Sequence, residues 1–293
     1  MASGPGSLRI GEFSRRVGVS TELLRAWERR YGLLQPVRSA GGFRLYTDED
    51  AERVAAMRRL LDDGLSAAQA ARAALAGEQP SRRPLEAAAG HLLDAIRNYD
   101  EAGVHAVLDE SLSAFALETV LRGLLLPALD QIGQEWQTAA LDVSQEHFAS
   151  NLIRGRMLAL ARQWGRGSGP RALLACVPGE AHDISLIAFG LMLRSYGWRI
   201  VFLGADTPLS TLAQTAEATQ PALTVLSIFD PALLEHHASA LRRLAKAVPL
   251  ALSGPGASEA TCKRLRIRRL DGDLIEAAHE VAGGPVTGRP EFQ

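Results

Sequence analysis

The chain holds only two cysteines, Cys176 and Cys262, far apart and with no neighbouring His or Cys at metal-ligand spacing. This excludes a disulfide framework and a thiolate metal centre. No apolar run approaches the roughly 20 residues of a bilayer-crossing helix. The opening Met1-Ala-Ser-Gly-Pro-Gly6 lacks the charged and apolar regions of a secretion signal. A cytoplasmic protein with no membrane partner is therefore expected. Nor is there an excess of either charge, since the net value is −1. The balance is uneven, however. Residues 1–46 carry eight arginines against three glutamates, a charge of +5 that leaves −6 for the remainder. A basic segment on an acidic body predicts a polyanion partner for one end only.

What is present reads as a multidomain chain. Its 293 residues, 47% hydrophobic and 22% charged, are enough for two domains or a few small ones. An Arg-rich helical segment occupies residues 1–76, and Gly77–Pro84 reads as a linker with two prolines. From Leu85 to Trp164, leucines and alanines recur at three- and four-residue spacing. Helices over Leu85–Asn98, Glu101–Ala114, Leu117–Glu135 and Val143–Trp164 would make a four-helix bundle spanning 85–164. Asp142 with Gln145 forms a capping-box-like start for the last of them. Residues 165–170, Gly-Arg-Gly-Ser-Gly-Pro, read as a second linker.

Beyond it, apolar runs at 172–177, 200–203, 223–228 and 248–252 alternate with helical stretches at 184–196, 208–218, 232–246 and 257–265. A short strand near 267–270 and a helix at 272–281 would complete a five-stranded, doubly wound α/β domain over 171–282. Residues 283–293 are expected to be a disordered tail.

The first segment reads as helix, tight turn, helix. Ser20 or Thr21 caps the second helix, and Leu23, Leu24 and Trp27 form its apolar side, so that Arg25, Arg29 and Arg30 project elsewhere. A hairpin follows, with Arg38 and Arg44 either side of Gly41-Gly42. A helix-turn-helix with a wing inserts a helix in the major groove and uses arginines on phosphates. The strings LRAWERRYGLL and GGFRLYTDED resemble the DNA-binding domain of MerR-family regulators over residues 8–76. That resemblance implies dimers on a palindromic double-stranded operator, with Arg15, Arg16, Arg25, Arg29, Arg44 and Tyr46 as contacts.

The stretch GEAHDISL, residues 179–186, follows the first apolar run of the α/β part. A histidine there lies where open sheets bind ligands, beyond the carboxyl ends of strands. Glu180 could hold one ring N–H while the other nitrogen of His182 meets a metal. Ser227-Ile-Phe229 and Ser253-Gly254 end two later strands with small or flat residues. The set Glu180-x-His182-x-x-Ser185, Ser227-x-Phe229, Ser253-Gly254, with 41 residues between Ser185 and Ser227, resembles the cobalamin-binding domain. The resemblance implies His182 as lower axial ligand to cobalt and a Rossmann-like, flavodoxin-like fold. Ser185, Phe229 and Ser253 depart from the family's Gly, Leu and Gly, each adding bulk where the nucleotide tail threads.

Trp136, nine residues, then Glu146-His147 resembles the helical cap of CarH-type light-sensing repressors. In that family these residues pack around the 5′-deoxyadenosyl group. The expected protein is a light-responsive regulator, a repressor rather than an enzyme, with adenosylcobalamin as chromophore. Dimers or tetramers would form according to ligand state. One position departs: Gln137 stands where family members carry a histidine that ligates cobalt after illumination. The alternative is a light-independent sensor of cobalamin or of another tetrapyrrole, haem or a bilin. His236 and His237 are read as exposed helix residues.

Overall fold

The computed structural model describes residues 8–39, 41–77, 83–270 and 272–283, in two compact units, Met1–Gln145 and Glu146–Gln293. The expected tail, and most of the Gly77–Pro84 linker, lie outside the described residues. Among those described, no helix is long and apolar enough to cross a membrane.

The first unit opens with α1 (Ile10–Val17) and α2 (Thr21–Tyr31). Gly18 turns the chain between them at φ 65°, and Ser20 rather than Thr21 is the N-cap, its side chain accepting from Leu23 N. The strands β1 (Val37–Arg38) and β2 (Arg44–Leu45) pair antiparallel as a short wing. Helix α3 (Asp48–Asp62) starts at a capping box between Thr47 and Asp50, and α4 (Ala67–Ala76) follows. Phe13, Leu24, Trp27, Tyr46, Val54 and Met57 form their shared core.

Helices α5 (Arg83–Arg97) and α6 (Glu101–Ala114) begin the bundle. The single helix expected over Leu117–Glu135 is instead α7 (Leu117–Val120), a π turn (Leu121–Leu125) and α8 (Leu126–Gln137). Pro127 has no N–H for the carbonyl four residues back, and Leu126 N reaches Leu121 O across the widened turn. The main chain of Gly64 and Ser66 bonds to that of Ala116 and Ala114, tying the winged segment to the bundle. Helix α9 (Val143–Leu160) runs through the division between the units. Asp142 and Gln145 cap its start reciprocally, side chain to backbone N–H in both directions.

The second unit is a five-stranded parallel sheet. Its strands are β3 (Arg171–Cys176), β4 (Arg199–Gly204), β5 (Leu223–Ser227), β6 (Leu250–Ser253) and β7 (Arg268–Arg269), in the order β4-β3-β5-β6-β7. The helices α10 (Ile184–Ser195), α11 (Leu209–Thr219), α12 (Pro231–Ala247), α13 (Glu259–Leu265) and α14 (Leu274–Gly283) connect or follow them. Almost every residue of β3, β5 and β6 is buried, as the unbroken apolar runs require of strands covered on both faces. Helix α10 lies close on the sheet at Gly190, where a Cβ would come within 2.9 Å of Leu174. The strand order reverses between β3 and β5, so the crevice of this sheet opens after Cys176 and Ser227.

Candidate functional site

Two regions bring candidate residues together, one in each unit. In the winged helix, Arg15, Arg16, Arg25, Arg29, Arg30 and Arg44 are all exposed. Arg16 pairs with Asp48 at 2.6 Å, and Arg44 Nε donates to Glu28 at 3.0 Å. Of the apolar side expected for α2, Leu24 and Trp27 are buried, whereas Leu23 is 43% exposed. Tyr46 requires a correction. It is fully buried, its ring stacked on Phe13 at 4.9 Å, and its hydroxyl donates to Glu28 at 2.9 Å. The main chain bridges Leu8 and Tyr46 where the wing enters the core, which turns this side chain inward rather than toward a phosphate. Burial, then the Glu28 carboxylate, pushes the phenol pKa up to about 12.

The second region is built on the loop after β3. Glu180 is 2% exposed and uses both oxygens. One takes the His182 backbone N–H at 3.0 Å and lies 2.6 Å from His182 Nδ1, and the other takes the Phe229 and Asp230 N–H groups at 2.6 and 3.3 Å. Burial alone would push this carboxyl up. The N–H groups of His182 and Phe229, the imidazole and the Asp230 N–H together outweigh it and hold the group below its ordinary value. A carboxylate on Nδ1 keeps the proton there and leaves the Nε2 lone pair directed outward. The His182 side chain is 70% exposed, with the Phe229 ring tilted against it at 5.0 Å.

Beside this histidine, Ser185, Ser227, Phe229, Ser253, Gly254 and Arg269 contribute to the wall of a cavity of 280 Å³. The three bulkier residues of the motif thus border this cavity rather than fill it. Gly254 has φ 94°, and a Cβ there would stand 2.4 Å from Ile228 O, so the strand end admits no larger residue.

A family model described as "MerR HTH family regulatory protein" matches residues 8–76, and one described as "B12 binding domain" matches residues 89–161. The HTH-type transcriptional repressor CarH of Myxococcus xanthus is 33% identical over 284 residues, covering 90% of this chain and 95% of that protein. The chain belongs to the CarH/CarA group of MerR-family regulators. CarA of the same organism is 35% identical over 260 residues, 86% of this chain and 88% of its own. Among solved structures, the Methanosarcina barkeri monomethylamine corrinoid protein covers 67% of this chain and 98% of its own with a TM-score of 0.55. At 20% identity that likeness concerns fold alone. Membership in this group makes the chain a homologue of transcriptional repressors rather than of enzymes, with a MerR-type DNA-binding domain and a cobalamin-binding domain.

Of the other residues expected to act in a CarH/CarA-type regulator, Trp136 and His147 are exposed and Glu146 is half-buried. Trp136, in the last turn of α8, is 49% exposed. Glu146 and His147 stand in the first turn of α9, with His147 Nε2 3.6 Å from Glu146. His236 is exposed as expected, but His237 is partly buried and its Nε2 lies 3.0 Å from the Pro178 carbonyl, bracing the loop before Glu180. Sequence reasoning missed Arg154, which takes Asp183 in a two-pronged pair. The only signal for it was an acid directly after His182, and at a helix start an acid reads as a cap.

Proposed function

We propose that this chain is a cytoplasmic, light-responsive repressor that uses adenosylcobalamin as its chromophore. The observation that carries the reading is His182, held at Nδ1 by the buried Glu180 at the reversal point of the sheet, with a cavity along the ends of β5, β6 and β7 that shares Phe229 with it. Such an imidazole is preset to ligate a metal through Nε2, and the cavity suits a displaced nucleotide base. When bound, adenosylcobalamin supplies a cobalt–carbon bond that visible light cleaves.

In this reading His182 binds cobalt, Glu180 fixes its tautomer, and Ser185, Ser227, Phe229, Ser253 and Gly254 hold the tail. Trp136, Glu146 and His147 contact the adenosyl group. Arg15, Arg16, Arg25, Arg29 and Arg44 bind the phosphates of a palindromic operator. In the dark the loaded protein assembles beyond a dimer, and several winged helices on one DNA raise the effective affinity without new base contacts. In light the assembly loosens and the operator is released. Gln137 offers only an amide, so no second protein nitrogen comes from that position after illumination.

The test is a visible spectrum of protein mixed with adenosylcobalamin in the dark, desalted, then exposed to green light, with operator binding followed in parallel. Retained cobalamin, a spectral change and loss of DNA binding are expected. Protein that emerges colourless sinks the reading. Retained colour with light-indifferent DNA binding would leave a cobalamin sensor without photochemistry. Trp136→Ala should release DNA without light if its contact with the adenosyl group sustains assembly.

A further inference from the structure

The loop that carries His182 is pinned on two sides. Glu180 pins it to the start of α12 through Phe229 and Asp230. The second pin comes from α9, where Glu146, Ser150 and Arg154 fall on one face at four-residue spacing. Ser150 Oγ donates to Glu146 at 2.6 Å. Arg154 donates through Nε and Nη2 to the two oxygens of Asp183 at 2.8 and 2.7 Å. Asp183 is 2% exposed and occupies the N-cap position of α10, yet its side chain caps nothing. An aspartate at a helix start ordinarily accepts from the helix's own N–H groups. Here both oxygens turn to the arginine instead. A two-pronged guanidinium–carboxylate pair fixes orientation as well as distance.

We propose that Arg154 is a positioning residue for the ligating histidine: through Asp183 it sets His182 against the face of α9 that carries Glu146. Ligation at His182 and the placement of that helix face then depend on one another. This rests on the cobalamin reading above. A merely structural ion pair would change stability when cut, whereas a positioning pair changes how often His182 reaches the metal.

The experiment loads cob(II)inamide, a corrinoid with no nucleotide base of its own, on the full chain and records its electron paramagnetic resonance, in which one ligating protein nitrogen splits each cobalt line into three. Wild type is expected to show the triplet. Arg154→Met should retain folded protein with a smaller triplet fraction and about tenfold weaker corrinoid retention. Arg154→Lys should restore part of the loss. In a His182→Ala background, Arg154→Met should add nothing, because the arginine acts through the histidine. A wild type without the triplet overturns the cobalamin reading and this proposal together. A wild type with it and an unchanged Arg154→Met overturns this proposal alone, as does an equal loss of retention in the His182→Ala background. Should Arg154→Met fail to fold, Asp183→Asn is read in its place, and an unchanged triplet there is equally decisive against the proposal.

Discussion

The winged helix and the histidine loop present charge in opposite ways. On the first, Arg15, Arg25, Arg29 and Arg30 stand in solvent. In the second, Glu180 and Asp183 are each 2% exposed and their oxygens are engaged by N–H groups or by Arg154. Exposed charges act at range, add up, and weaken with salt. Buried, fully bonded charges do little at range but fix geometry, and removing one leaves its partners unpaired. The same residue types therefore serve attraction at one end of the chain and direction at the other. Mutations in the two regions should differ in kind as well as in size.

The largest effect should come from His182→Ala. It removes the proposed ligand itself, so retention of adenosylcobalamin on desalting should fall by more than the roughly 100-fold upper range for residues that only orient a ligand. DNA binding by the ligand-free protein should be untouched. A variant that keeps full colour would move the ligand away from GEAHDISL and remove one side of the comparison.

Glu180→Gln comes next. The amide keeps the size but loses the carboxylate on Nδ1, and cobalamin affinity should drop about 10- to 100-fold. Stability offers a second reading. The folded Glu180 carboxyl sits below its ordinary value of 4.5, so its contribution is complete above that pH and is lost as pH falls through the lower folded value. Acid denaturation of Glu180→Gln, followed by circular dichroism, should show a flatter limb below that point. An unchanged acid limb would mean that the bonds to Phe229 and Asp230 do not stabilise the ionised form.

Much of this architecture was legible because it depends on composition and period. The alternating apolar runs marked the strands of the sheet to within two residues, and the arginine excess marked the basic end. The Glu180–His182 contact was legible too, since a spacing of two residues in a loop leaves few geometries. What escaped depends on long-range placement. Arg154 and Asp183 are 29 residues apart, and nothing in either local pattern links them. The π turn at Leu121–Leu125 arises from one missing N–H at Pro127, which periodicity does not register. Tyr46 misled for the opposite reason: a tyrosine in a wing fits both a phosphate contact and a core plug, and only its stacking on Phe13 separates them.

Arg25→Ala probes the exposed region. It should weaken DNA binding modestly across sequences and reduce the slope of log affinity against log salt by about 1. Cobalamin retention should not change. Repeating the operator titration at several salt concentrations checks both parts. A loss confined to one operator sequence, with the slope intact, would make Arg25 a reader of bases instead of a phosphate contact.

The smallest effect belongs to Tyr46→Phe. Tyr46 lies among exposed arginines in sequence but behaves as a buried group in structure. Losing its hydroxyl bond to Glu28 should cost about 1 kcal/mol of stability. DNA affinity should hold, measured where the variant is fully folded. The wild-type phenol titrates near 12 when folded against 10.0 when free, so the stability it lends is complete below pH 10 and disappears as pH rises toward 12. Thermal melts across that window should show wild type declining toward the variant, which lacks the titrating group. If instead Tyr46→Phe melts like wild type and loses DNA affinity, the hydroxyl serves the operator and the division between exposed and buried charge does not hold at the wing.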